Sequence, residues 1–475
     1  MKISAIVDAF CAIRFTRFSH LLRIISAAFL FSALAACDIG NNDSVLQAQV
    51  LALSQQGDAD KDPIAAKELI AQFYEARGYK LVWTDERKRN ELRALVHEAF
   101  THGLNPDDYH ATLLHRPMGE SAEEKARTDI LYTDALARLA YHLRFGKVNP
   151  RELYADWNYK RSLSDVDPAP ALEALVTAGD LRKAVNDFGP RLPEYTALRQ
   201  ALMQQYEITK TNNSPEIQHN IETLKVNLER IRWVAHALPK EYIVVDVAGY
   251  GAALLRDGKP MWTSKVVVGK PYRETPVFRT EMTQIVLNPT WTVPPTILKE
   301  DLLPKLENDP DALAKKGMRV LDKNGNPVEG DYEKGMRVTQ PPGPDNALGQ
   351  YKFDMPNDHA VYLHDTPAKE KFEKEVRAFS SGCIRLEKAR ELAQLLLGEQ
   401  HQMSAQQIDE VIATNETKTI ALAKKIPVLI LYFTAEAGES GVTFRPDIYE
   451  RDGKLAAALK APYELNAMLK MKKPA

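Results

Sequence analysis

Between residues 63 and 230 the apolar positions recur at helical spacing. In "TDILYTDALARLAYHLRFG", Ile130, Leu131, Leu136, Leu139, Ala140 and Leu143 return at intervals that keep them on one side of a helix. Thr133-Asp134 offer an N-terminal cap there and Gly146 a stop. "ELRALVHEAFTHG" behaves the same way and closes at Gly103, and the polar run "TKTNNSPEIQ" (209–218) marks a connection. Past residue 240 the pattern changes. "EYIVVDVAGYGAALLRDGKPMWTSKVVVGK" is rich in β-branched residues and reads as a hairpin turning at "RDGK". "TQIVLNPTWTVPP", "AVYLHDT" and "IPVLILYFT" read as further strands, with a helix at "LEKARELAQLLLG". A charged stretch, residues 299–340, interrupts this β region and reads as an insertion or lid. The expectation is an α+β chain: a helical domain over 63–230, then a mostly-β domain over 231–455 that carries the insertion, and a tail over 456–475.

The N-terminal segment does not read as fold. Lys2, Arg14, Arg17 and Arg23 precede the apolar run "IISAAFLFSALAA" (24–36), which is too short to span a bilayer. A basic region, a short apolar core and small residues make a secretory signal over 1–36. Leu34-Ala35-Ala36-Cys37 resembles the lipobox of bacterial lipoproteins, which favours lipidation of Cys37 over an ordinary signal peptide. The expected location is the periplasmic side of the envelope, anchored in the membrane by that lipid; the choice of inner or outer membrane stays open. Residues 37–62 are polar and read as a tether.

Charge narrows the function. The chain has 62 basic and 64 acidic residues; residues 1–36 take four and one of them, leaving a formal charge of −5. No basic tract dominates, so nucleic-acid binding has no electrostatic support. His102, His110 and His115 lack a compact ligand pattern and read as helix-surface residues, so no metal and no cofactor is expected. Trp83 and Trp233 read as core anchors.

Three cysteines occur in all, and Cys383 alone lies beyond residue 37. An exported chain with one unpaired cysteine holds either a buried or a reactive thiol. Cys383 follows Ser380-Ser381-Gly382 and precedes Ile384-Arg385. That polar, glycine-containing turn favours reactivity, and Arg385 could help stabilise a thiolate. A thiol nucleophile needs a base. His364, at the end of the alternating strand "VYLHDT" and 19 residues upstream, is the candidate.

"YLHDT" and "SSGCIR" resemble the signature of the bacterial L,D-transpeptidases, in the large periplasmic class. "NLERIRWV", "VVVGKPYRETPVF", "LNPTWTVPPTI", "PGPDNALGQYKF" and "VTFRPDIYERD" are similar to stretches of the same class, as are "FYEARGYKLVW", "HGLNPDDYH" and "LRFGKVNPREL" upstream. The resemblance implies a helical scaffold domain, an L,D-transpeptidase catalytic domain and a capping subdomain at 299–340. It implies that Cys383 attacks the stem peptide of peptidoglycan after the L-centre of diaminopimelate, that D-alanine leaves, and that an acceptor amine takes the thioester to give a 3-3 cross-link. His364 would move the proton, with a backbone carbonyl rather than the Asp365 side chain orienting it in many relatives. Amides near Gly382 and Cys383 would hold the oxyanion, while Ser380, Ser381, Tyr362 and Arg385 shape the site. The partners implied are the donor tetrapeptide stem, the acceptor amine and cell-wall synthesis proteins, and carbapenems would acylate the cysteine. Residues 204–225 are too short for the wall-binding domain that the class often inserts there. Water as acceptor would make an L,D-carboxypeptidase, and a wall-binding scaffold with a weak site is the third reading.

Overall fold

The structure, a computed structural model, describes residues 37–55, 64–159, 168–328, 332, 335–438 and 441–462. The expected signal segment over 1–36 lies outside the described residues. None of the helices described is long and apolar enough to cross a membrane.

Helices dominate the first half. They are α1 (Cys37–Gln55), α2 (Lys67–Ala76), α3 (Glu86–His97), α4 (Ala122–Phe145), α5 (Pro168–Thr177), α6 (Leu181–Phe188), α7 (Pro193–Thr209) and α8 (Pro215–Ala235). A tether over 37–62 is not what forms: α1 occupies most of it. Its Leu46, Val50 and Leu53 lie four and three residues apart on one stripe and are buried in the helical core with Ile70, Phe73 and Trp83. Each such side chain contributes roughly 1.5–3 kcal/mol on burial, enough to dock the helix, with Val45 packing beside them and Leu51 left exposed.

The start of α4 also differs from expectation. Ser121 caps it, and Glu124 reaches back to complete a capping box. Thr133 and Asp134 lie fully buried inside the helix. Asp134 accepts from the backbone N–H groups of Ala65 (3.1 Å) and Ala66 (2.9 Å) and hydrogen-bonds His110 Nε2 (2.7 Å), and it forms an ion pair with Arg138, whose Nε lies 2.7 Å away. His110 is therefore an interior residue. So is His102, which is hydrogen-bonded to the Tyr195 hydroxyl at 2.9 Å and held well below the usual imidazole range by burial. His115 alone of the three is exposed. Buried polar groups need partners, and apart from Arg138 these partners are remote in sequence. Trp83 and Trp233 are buried, as expected of core anchors.

The second half is a sheet that closes on itself. Its strands are β1 (Glu241–Asp246), β2 (Gly251–Arg256), β3 (Lys259–Gly269), β4 (Arg279–Leu287), β8 (Tyr351–Asp354), β9 (Leu363–His364), β10 (Ala378–Ser380), β11 (Ile384–Leu386) and β12 (Lys418–Leu431). Their order is β10-β3-β11-β9-β8-β4-β12-β1-β2, and β2 pairs again with β3, making an irregular barrel. The β2–β3 turn falls where "RDGK" placed it, with Asp257 and Gly258 both at positive φ (48° and 76°), the conformation of a two-residue hairpin turn. Helices α9 (Ala389–His401) and α10 (Ala405–Ala413) pack on the same core.

The 299–340 stretch belongs to a unit with its own small core. Strands β5 (Trp291–Thr292), β6 (Arg319–Leu321) and β7 (Arg337–Gln340) form a separate antiparallel sheet, and Val293, Leu298, Leu302, Leu313, Val320 and Val338 cluster on it. Strands β13 (Ala435–Gly438) and β14 (Gly441–Phe444) pack instead against α7 and α8. A tail beginning at 456 is corrected by α11 (Asp452–Lys460). Its Leu455 and Leu459 are buried, and Lys147 Nζ donates to Leu459 O (2.9 Å), Ala461 O (2.7 Å) and Asp108 Oδ2 (2.7 Å). Residues 463–475 lie outside the described residues.

Candidate functional site

One register builds the site. β9 and β11 run parallel, with Leu363 opposite Ile384 and His364 opposite Arg385, and Ile384 N donates to Tyr362 O at 3.1 Å. Leu363 and Ile384 are fully buried in the barrel core. Side chains alternate across a strand, so Tyr362, His364, Cys383 and Arg385 share the opposite face. On the other side of β9, Lys352 of β8 is opposite His364. Its Nζ lies 4.6 Å from the Tyr362 ring centroid and 2.6 Å from Asp354 Oδ1.

Cys383 ends a tightly held turn. Ser380 is buried; its hydroxyl accepts from Gly382 N (3.2 Å) and donates to Cys383 O (2.5 Å). Gly382 has φ +109°, a backbone that side-chain-bearing residues rarely adopt. The neighbouring 270–275 loop grips the turn: Lys270 N donates to Ser380 O (3.0 Å) and Thr275 Oγ1 to Gly382 O (2.9 Å). Ser381 Oγ accepts from Arg273 Nη1 at 2.8 Å. Of the two amides named for an oxyanion, that of Gly382 is engaged by Ser380, while none of the described hydrogen bonds engages that of Cys383.

The partly buried thiol contacts Ala360 O at 3.8 Å and the Tyr362 hydroxyl. Burial pushes the thiol up; Tyr362, Arg385 and Lys352 pull the other way. Ala360 itself has φ +53°, uncommon for a residue with a Cβ. Asn357 fixes the turn that carries it, donating to Val361 O (2.7 Å) and accepting from His359 N (3.0 Å).

His364 is buried, and its Nδ1 hydrogen-bonds the carbonyl of Asp365. A carbonyl only accepts, so Nδ1 carries the hydrogen and Nε2 keeps its lone pair. Burial first, then the Arg385 guanidinium, pull the imidazole down to about 3. The Asp365 carboxylate does other work, accepting from Gln350 N at 3.0 Å and pairing with Lys369. Both partners are thus neutral near pH 7, a thiol and an imidazole rather than an ion pair.

Arg273, Thr275, Lys352 and Ala360 join this constellation although sequence reasoning did not single them out. Arg273 and Thr275 sit in "VVVGKPYRETPVF" and Lys352 in "PGPDNALGQYKF", stretches that carried the resemblance without any role for a residue within them. No group of three or more His, Cys, Asp or Glu that could hold a metal ion occurs among the described residues.

Comparison with known proteins agrees with this fold. Residues 68–202 match the Scaffold domain, and residues 240–424 match the L,D-transpeptidase catalytic domain. The chain thus carries a Scaffold domain followed by an L,D-transpeptidase catalytic domain. A Haemophilus influenzae protein provisionally named L,D-transpeptidase is 29% identical over 403 residues, covering 82% of this chain and 80% of that protein. Among solved structures, a cysteine-to-serine mutant of Enterococcus faecium L,D-transpeptidase is 15% identical, covering 41% of this chain and 50% of its own, with a TM-score of 0.20. The L,D-transpeptidase of Mycobacterium smegmatis is 14% identical over 40% of this chain and 58% of its own, also at 0.20. The chain thus spans about half the length of these solved structures.

Proposed function

We propose that the protein forms 3-3 cross-links in peptidoglycan through a thioester on Cys383. The observation that carries this reading is the β9–β11 register, which sets Tyr362, His364, Cys383 and Arg385 on one face. As Cys383 Sγ attacks the donor carbonyl carbon, its proton passes to His364 Nε2. The C–N bond then breaks, and the same proton goes to the departing amine of D-alanine. An acceptor amine attacks the thioester, loses its proton through His364 and restores the thiol. Charge developing on the carbonyl oxygen meets the Cys383 amide, with the Tyr362 hydroxyl and Arg385 close to the reacting sulfur. Because the thiol starts neutral, proton transfer accompanies attack rather than preceding it.

The reading extends to location. Cys37 is the lipid-bearing N-terminal residue of the mature protein, and the lipid holds it on the periplasmic side of a membrane. The support is Leu34-Ala35-Ala36-Cys37 at the end of the short apolar run. Fatty-acid labelling should be lost in Cys37→Ser; label retained there removes the anchor from the proposal.

The test of the reaction is to incubate the protein with tetrapeptide-rich peptidoglycan, digest it and identify the muropeptides by mass. Dimers joined 3-3 are expected from the wild type and none from Cys383→Ala. Tripeptide monomers without dimers would make water the acceptor and the protein an L,D-carboxypeptidase. Neither product would leave a wall-binding scaffold.

A further inference from the structure

One side chain joins the nucleophile turn to the unit around 299–340. Arg273 Nη1 donates to Ser381 Oγ (2.8 Å) and to Asp301 Oδ2 (2.5 Å). Its Nη2 donates to Glu300 Oε2 (2.7 Å) and Asp301 Oδ1 (3.2 Å). Ser381 lies two residues before the nucleophile, whereas Glu300 and Asp301 lie on the π-helical turn Leu298–Leu302, whose Leu298 and Leu302 anchor the core of the inserted unit. The Arg273 side chain is only 10% exposed. An isolated surface ion pair contributes little, but this is a two-armed, largely covered guanidinium with carboxylates on one side and a hydroxyl on the other. Arg273 also holds the Asp301 carboxyl below the usual carboxylate range.

We infer that Arg273 is a positioning residue that clasps the inserted unit to the Ser380–Cys383 turn, so that the unit's seating and the nucleophile's placement are one coupled state. The inference rests on the proposed cross-linking reaction for its consequence, though not for its geometry. When the carboxylates swing away, Arg273 keeps Ser381 and the face of the Tyr272 ring as partners, and the unit is held by its strand β5 and the chain on either side. Substrate then meets a cleft whose wall is no longer fixed, which affects binding and commitment more than the chemistry of the thiol.

The full chain is compared with Arg273→Gln, Arg273→Lys, the pair Glu300→Gln/Asp301→Asn, and the combination of that pair with Arg273→Gln. Amide hydrogen exchange over 298–306, read by mass, reports the clasp directly. Arg273→Gln should speed that exchange about tenfold, equivalent to ~1.4 kcal/mol. It should also raise KM for stem peptides several-fold with a smaller change in kcat. The carboxylate pair should do the same, and the combination no more than either. Arg273→Lys should recover part of the protection, since one ammonium cannot serve both arms. Unchanged exchange in Arg273→Gln, or effects of the two changes that multiply in the combination, would overturn the clasp. If Arg273→Gln does not fold, the carboxylate pair lies toward solvent and decides by the same exchange readout. If the wild type makes no cross-links at all, the proposed reaction fails while hydrogen exchange still decides the clasp.

Discussion

His364 and Arg385 face each other across the parallel pair β9–β11, so a permanent cation stands beside the candidate base. That cation, added to burial, keeps the imidazole neutral down to about pH 3. Burial likewise raises the Cys383 thiol. The two groups therefore begin uncharged, unlike the thiolate–imidazolium pairs of many cysteine enzymes.

The pH dependence of thiol reactivity distinguishes these states. Alkylation by iodoacetamide requires the thiolate. Its rate at Cys383 should climb steadily from pH 6 upward, with its inflection above the ordinary thiol value of about 8.5. An acid-side plateau below pH 6 would reveal a preformed ion pair and refute the neutral state.

Stability should carry the same signature. In the folded protein His364 takes up no proton until about pH 3, whereas the unfolded chain takes one up near 6.5. Between those values the unfolded state binds more protons, so stability is fully present above pH 6.5 and is lost as pH falls toward 3. Integrated over that window the loss is roughly 3–5 kcal/mol. His364→Gln should lack this component: denaturant midpoints of the two proteins should diverge with acidification, the wild type falling faster. Parallel curves would mean that His364 is not held neutral.

Gly349 supports the base from behind. It has φ +62°, and a Cβ there would lie 2.3 Å from Asp365 Oδ2. Asp365 would have to move, and its carbonyl is what orients His364. Gly349→Ala should lower kcat at least tenfold through loss of imidazole alignment and destabilise the fold by about 1–3 kcal/mol through the strained backbone. A variant with wild-type kcat would show that the Asp365 carbonyl is dispensable.

How much of this was legible in the sequence depends on how far apart the partners lie. The "RDGK" turn, the Gly103 and Gly146 stops and the α9 helix depend on neighbours, and local pattern found them. Cys383 and His364 stood out because lone thiols and strand-end histidines are rare enough to notice. Thr133-Asp134 misled because a helix cap and a buried polar cluster use the same residue types; only Ala65, Ala66 and His110, all distant in sequence, show which it is. The stripe Leu46-Val50-Leu53 was blurred by other apolar residues such as the exposed Leu51, and its burial depends on a core built by later helices. Arg273 was invisible for the same reason, since its partners lie at 300–301 and 381.

The inserted unit should be separable from thiol chemistry. Its core is a cluster of its own, distinct from the barrel core that places β9 and β11. Its two ends already lie side by side, since Trp291 pairs with Gln340 and Thr292 with Thr339. Replacing residues 295–336 by a short turn can therefore leave β5 and β7 as a hairpin without opening the barrel. The trimmed protein should fold, and its Cys383 should still react with a small acylating agent such as a carbapenem. Removing the segment strips Arg273 of both carboxylates, so binding of stem peptides should weaken and cross-linking should fall at least tenfold. Muropeptide analysis beside mass measurement of the acylated cysteine reads the two outcomes separately. A trimmed protein that cross-links stems at the wild-type rate would reduce the segment to a surface insertion, and one that folds yet leaves Cys383 unreactive would make it part of the nucleophile's own support.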